Sequence, residues 1–465
     1  MPSPRLVLPP TEHDWDALRA ELQIPTAFPA EVEAEAAEAA KHPVLPDRDL
    51  TDLPFLTIDP TGSVDLDQAM ALSRAGSGYL VRYAIADVAA FVRPGGAVDL
   101  EAHRRGETLY SPDLRTPLHP TVLSEQAASL LQDQVRPALV WELSLDEHGA
   151  LTGTTVGRAL VRSRRQLDYE TVQRDLDAGT ATEDLQLLAT VGRLRQEQAR
   201  SRGAVDLPTP EQVVDPEGRL TYRAPLPAEA WNAQISLLTG MAAAQLMLDG
   251  GVGLLRTLPT PPQDAVDSLR RSAMALGVSW PERSPYGEVL SALDPSVPRN
   301  AALLTLATRL LRGAGYTAFD GSPPALTTHS AVAAPYAHCT APLRRLADRY
   351  VGEVCLALCA GAEVPAWART ALPVLPAEMA EADRRAHELD RAAVDLAEAC
   401  VLQHRVGESF EAVVVEANSH GGTVQLTDPA VRARVDAAKP PLGRRVEVVL
   451  TEADVRTRKV AFRLG

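Results

Sequence analysis

Residues 57–70, Thr-Ile-Asp-Pro-Thr-Gly-Ser-Val-Asp-Leu-Asp-Gln-Ala-Met, place Asp59, Asp65 and Asp67 close together, with Pro60, Thr61, Gly62 and Ser63 as turn formers between them. Asp65 and Asp67 are two apart, which on an extended backbone aims both carboxylates at one face. A turn could bring Asp59 up to them. Unit charges 4 Å apart repel by about 4 kcal/mol at an effective dielectric of 20. A fold that gathers three carboxylates therefore normally holds a cation, and all-oxygen ligands suit Mg²⁺ or Mn²⁺. The plainer reading is a solvated loop of ordinary turn residues, which requires no metal.

A second dense stretch is Tyr336-Ala-His338-Cys-Thr340-Ala-Pro342-Leu-Arg344-Arg345-Leu-Ala-Asp348. Pro342 suits the first position of a helix, with Thr340 placed to cap it. The amides of Leu343, Arg344 and Arg345 would then form an anion site, with two arginines opposing the helix dipole unless an anion answers them. The alternative is a solvated arginine pair.

The elements that must position these groups follow from periodicity. The apolar run 53–56 reads as a strand delivering Asp59, and 78–87 as a buried strand ending in a carboxylate. Residues 139–145, 151–156 and 158–161 read as further strands, and 99–108 as a helix. Helical spacing predominates over 13–25, 29–41, 168–202, 229–248, 262–276, 301–312, 344–358 and 376–402. A loop is expected over 203–218. Beyond His404 short alternating strands predict a small OB-type barrel.

The 465 residues suffice for two or three domains, and 45% hydrophobic with 23% charged residues is ordinary for a globular chain. The net charge of −15 argues against indiscriminate coating of nucleic acid but leaves room for a local arginine-lined channel. No apolar stretch is long enough to span a membrane, and the amino terminus lacks a signal-peptide layout, so a cytoplasmic protein is expected. The cysteines, Cys339, Cys355, Cys359 and Cys400, show no zinc spacing, and Cys355 and Cys359 read as core.

The acidic turn Asp59-x₅-Asp65-x-Asp67 and the Tyr-Ala-His-Cys-Thr-Ala-Pro-Leu-Arg-Arg-Leu-Ala-Asp stretch together resemble the catalytic domain of the ribonuclease II and R (RNB) family. Matching segments lie between and beyond them, in order: Tyr83-Ala-Ile-Ala-Asp87-Val, Arg105-Gly-Glu-Thr-Leu-Tyr110, Leu123-Ser, Arg202-Gly-Ala-Val-Asp-Leu and Ala382-Asp-Arg-Arg-Ala. The resemblance implies an α+β fold: an RNB-type core of mixed sheet surrounded by helices (48–404), then an S1/OB-type barrel that binds RNA (405–465). A small helical module (1–47) precedes them, where the family usually has cold-shock domains.

The activity implied is Mg²⁺-dependent (or Mn²⁺-dependent) 3′→5′ hydrolysis of single-stranded RNA to nucleoside 5′-monophosphates, by a monomer needing no obligate protein partner. Carried over by position, Asp67 and Arg344 would be catalytic, and Asp59, Asp65, Asp67 and Gln68 would hold metal. Tyr110, Tyr169, His338, Thr340 and Arg345 would contact RNA. Gln68 stands where the family usually has a fourth aspartate, and Asn232-Ala-Gln234 where it has acidic residues. Cys339, Ala341 and Leu346 replace phenylalanine, serine and tyrosine. These departures leave a second expectation, a weakened or inactive RNA-binding protein of the same fold.

Overall fold

The structure, a computed structural model, describes residues 15–111, 113–207, 211–214 and 220–465. Five strands, β1 (Phe55–Asp59), β2 (Gln68–Ala75), β3 (Gly78–Ala86), β4 (Val135–Leu145) and β5 (Leu151–Asp168), form a closed barrel. Neighbours pair antiparallel except β1 and β5, whose parallel pairing closes the ring with Asp59 opposite Asp168. The expected mixed sheet is thus curled onto itself. Residues 151–161, read as two strands, belong to one strand that runs on to Asp168. Strand β3 is buried along nearly its whole length, because core lies on both of its faces. Tyr83 and Trp141, paired across β3 and β4, are its largest fully buried side chains.

Helices surround this barrel: α1 (Trp15–Glu21), α2 (Ala30–Ala39), α3 (Ala97–Arg105), α4 (Tyr169–Asp177), α5 (Glu183–Arg202), α6 (Pro227–Gly250), α7 (Leu346–Cys359) and α8 (Leu375–Leu402). The helix expected over 168–202 is broken into α4 and α5 by a turn at Gly179, whose positive φ suits glycine. Asp168 caps α4, accepting from the Thr171 amide at 2.7 Å. Helix α6 carries Gly240, where a Cβ would sit 2.5 Å from the Ala337 carbonyl oxygen. That absence lets the second motif lie directly on α6, and the Ala337 amide donates to Gly240 O at 3.1 Å. Part of the expected 203–218 loop, the start of the expected first helix (13–14) and Pro112 lie outside the described residues. Residues 211–214 pair as a strand with 220–223.

A second closed barrel ends the chain: β6 (Ser409–Asn418), β7 (Gly421–Leu426), β8 (Arg432–Asp436), β9 (Arg445–Asp454) and β10 (Lys459–Leu464), in the order β6-β7-β8-β10-β9. Phe410, Val414, Val424, Leu426, Val448 and Phe462 fill it. Among the described residues no helix is long and apolar enough to cross a membrane.

Candidate active site

The acidic segment between β1 and β2 is irregular but pinned. Leu66 is fully buried, its amide donating to Ser129 Oγ at 2.9 Å and its carbonyl accepting from Leu130 N at 3.0 Å. With Leu66 turned inward, alternation turns Asp65 and Asp67 the other way. Asp67 is almost fully buried; its Oδ1 accepts from the Leu343 amide at 2.8 Å and its Oδ2 lies 3.5 Å from Arg344 Nε. The two stretches singled out in the sequence therefore meet. Burial pushes the Asp67 carboxyl up to about 8, against the downward pull of Arg344 and the Leu343 amide, with Asp65 adding to the rise.

The second motif is built differently from expectation. Helix α7 starts at Leu346, so Pro342 to Arg344 form a turn and not a first helical turn. The amides of Arg344 and Arg345 donate to Ala341 O at 3.2 and 2.9 Å, and that of Leu343 is taken by Asp67. No amide cradle is left for a phosphate. Asp348 enforces the turn by accepting from the Ala341 amide at 2.7 Å and from Arg345 at 2.8 and 3.0 Å.

Three of the expected RNA contacts are engaged within the protein. Arg345 is held by Asp348; burial draws its pKa down, but that ion pair outweighs the burial and keeps it charged. Thr340 is buried, with Oγ1 2.8 Å from Ser236 Oγ, and it does not cap α7. His338 Nδ1 lies 2.6 Å from the Tyr316 hydroxyl, and its ring packs edge-on against Tyr316 and Tyr336. Burial and the nearby Arg345 and Arg256 hold His338 well below its ordinary range, so it is neutral.

The two tyrosines do border the acidic segment. Tyr110 sits in a short hairpin, Leu109–Tyr110 against Arg115–Thr116, that runs beside the second motif: Thr108 N donates to Arg344 O and Leu346 N to Gly106 O, both at 2.9 Å. Burial raises its phenol to about 12, and the charges of Arg344, Asp65 and Asp67 all reach it. Tyr169 opens α4 beside Asp59, and its hydroxyl accepts from Asn232 Nδ2 at 2.9 Å. Asn232, noted in the sequence only for not being acidic, is therefore a fixing residue for Tyr169.

Arg115 was not singled out. It lies directly across the hairpin from Tyr110, and its guanidinium joins Asp65 to Glu125. No local pattern announces an ion pair between residues 65 and 115; Asp65 draws it in because a half-buried carboxylate needs a partner.

The donor set tests poorly as a metal cage. Asp65 is engaged by Arg115, and Gln68 is spent at both ends: its Nε2 donates to Thr340 O at 2.6 Å and its Oε1 accepts from the Tyr83 hydroxyl. Among the described residues no three His, Cys, Asp or Glu side chains converge to hold a metal ion. The expected gathering of Asp59, Asp65, Asp67 and Gln68 around one ion is thus not the arrangement found. Repulsion is relieved instead by arginines and by the proton that burial makes Asp67 hold more tightly.

Comparison with known proteins decides the family. A model of the RNB domain matches residues 47–359, well over half of the chain, and one of the RNase II-type exonuclease C-terminal S1 domain matches residues 408–465. The chain belongs to the RNB-domain family. Its homologues include ribonuclease R of Aquifex aeolicus, 27% identical over 446 residues that cover 90% of this chain and 62% of that protein. The chain spans less than two thirds of the length of the curated relatives it matches. Among solved structures, Mycoplasma genitalium RNase R in complex with ribose methylated single-stranded RNA superposes with a TM-score of 0.86 at 21% identity, covering 97% of this chain and 77% of that one. Yeast Ssd1, described as a pseudonuclease, superposes with a TM-score of 0.69 at 16% identity over 92% of this chain and 54% of that one. These likenesses establish the RNB core and the S1/OB barrel as the fold.

Proposed function

We propose that this RNB-family chain is a 3′→5′ exoribonuclease that hydrolyses single-stranded RNA to nucleoside 5′-monophosphates. The observation that carries the reading is the buried Asp67 facing Arg344, with Tyr110 beside both. The Arg344 guanidinium balances charge growing on the attacked phosphate, and it is partly open to solvent where a strand could reach it. Oδ2 of Asp67, the oxygen not taken by the Leu343 amide, accepts the proton of the attacking water. A carboxyl raised to about 8 is a competent base near neutral pH. Tyr110 and Tyr169 offer ring faces to the terminal bases, each stack contributing roughly 1–3 kcal/mol without regard to sequence. The 3′-terminal nucleotide is thereby gripped and oriented while its phosphodiester meets Asp67.

Residues 48–404 form the catalytic unit in this reading, 405–465 an RNA-binding barrel and 1–47 a helical module. The protein acts as a cytoplasmic monomer. Divalent-metal dependence is general in the family, and Mg²⁺ or Mn²⁺ is proposed here also. The carboxylates found do not form a cage for the ion.

A 5′-labelled single-stranded RNA incubated with Mg²⁺ or Mn²⁺ should shorten progressively, whereas an equivalent DNA should survive. Asp67→Asn should slow cleavage by about 10³-fold while leaving RNA binding in place. Label kept at full length under both metals removes the nuclease reading. The engagement of Gln68 by Tyr83 and Thr340 favours a second reading, an RNA-binding protein of this fold that no longer cuts. Binding without cleavage in the same assay selects it.

A further inference from the structure

The contacts of the amino-terminal helices converge on one place. Arg19 of α1 is almost completely buried and grips the tip of the site hairpin: its Nη1 and Nη2 donate to Asp113 Oδ1 and Oδ2 at 2.7 and 2.9 Å, and Nη1 reaches Ser111 Oγ at 3.1 Å. A two-bond fork of this kind fixes orientation as well as distance. The hairpin stem is held from the same side, because Trp15 and Leu18 pack in one cluster with Leu109 and with Leu389 of α8. Helix α2 secures the approach to the hairpin: the Glu35 carboxylate accepts from the Ala97 amide at 2.8 Å, at the start of α3. The last residue of α1, two beyond Arg19, is tied to the closing barrel, where Arg458 donates twice to Glu21 at 2.8 and 2.9 Å.

Left alone, a hairpin with a single two-residue pairing is a weakly stable object. This one must hold Tyr110 against RNA and Arg115 against Asp65, whose side chains leave from opposed positions on its two arms. We propose that α1 is a brace for this hairpin, with Arg19 as a positioning residue that acts through Asp113 to hold Tyr110 where the terminal base is gripped. Arg19 touches neither RNA nor Asp67. Its effect falls on binding of the 3′ end and not on the chemical step. The inference rests on the nuclease reading for its functional consequence, and on the hairpin contacts alone for its structural one.

The test compares wild type, Arg19→Ala, Asp113→Ala and the double variant, all as the full chain. Each single variant should raise KM for a short single-stranded RNA by about three- to tenfold, with kcat within about twofold, since part of one base–aromatic stack is lost. The double variant should lose less than the sum of the two singles, because the side chains share the fork, while Arg19 also holds Asp16 and Ser111. Amide hydrogen exchange at 109–111 and 113–116 should quicken by about tenfold in every variant without RNA or metal present, while the barrel strands exchange as in wild type. Unchanged hairpin exchange and KM, or additive losses in the double variant, overturn the brace. Asp113 is on the rim, so its variant decides the matter if Arg19→Ala does not fold. Should wild type neither bind nor cut RNA, the nuclease reading fails while hydrogen exchange still judges the brace.

Discussion

Among the described residues lie two closed five-stranded barrels, each with one parallel pair, and they handle charge in opposite ways. Around the first lie buried Asp67, Asp87, Asp99, Glu101, Arg105, Asp348, Arg349 and Glu353, nearly all in ion pairs or hydrogen bonds. In the second, residues 409–465, the buried side chains are apolar without exception. Its charges, Arg432, Arg434, Arg445 and Lys459 among them, stand outside. Burying a charge costs stability unless it is paired, so a core tolerates many of them only where they serve something else. The first barrel carries the charges on which the proposed reaction depends. The second is organised around its own stability, with its charges on the surface, several of them in ion pairs.

This contrast predicts where damage is felt. Phe462→Ala, removing a fully buried ring packed edge-on against Phe410, should cost about 3–5 kcal/mol of barrel stability. Urea unfolding would read that loss. Cleavage of a short, already bound RNA should persist, and its loss would break the division of labour. Arg344→Ala should do the reverse, slowing cleavage by about 10²–10³-fold with little change in unfolding.

A smaller effect sharpens the comparison through pH. Glu107, beside Arg345, is raised from 4.5 to about 7 by burial first and by the charge of Asp383 second. An acid that holds its proton more tightly when folded adds stability that is fully present below about pH 4.5 and is lost as pH rises through about 7. Glu107→Gln should therefore be more stable than wild type by about 1–3 kcal/mol at pH 8 and nearly equal at pH 4.5. An equal difference at both pH values, by urea titration, would contradict the shift. Smallest of all, Arg115→Gln frees Asp65 from its ion pair. Binding of Mn²⁺, followed by its electron-spin resonance in the presence of EDTA-treated protein, should tighten by about threefold.

How much of this could be read beforehand depended on sequence distance. The alternation over 408–417, the β-rich runs 423–426, 444–450 and 458–464, and the apolar run 78–87 specified strands, because period-two burial is a local property. The meeting of the two motifs was legible only through resemblance; the Leu343 amide on Asp67 joins residues that periodicity cannot relate. Pro342 misled, since a proline that suits a helix start suits a turn equally, and Asp348 decided between them by capping Ala341. Gln68 was read as a spare ligand because Tyr83 and Thr340 are remote in sequence. Arg115 and Arg19 escaped notice for the same reason: their partners, Asp65 and Asp113, are set by how the barrel and hairpin stack.

The parallel seam between β1 and β5 has a consequence for the newborn chain. Asp59 comes beside Asp168, and so beside Tyr169, only when the first strand of the ring meets the last. That contact carries the largest loop-closure cost in the barrel. In the proposed nuclease, a polypeptide still emerging from the ribosome would have no complete site until its outermost staves are drawn together.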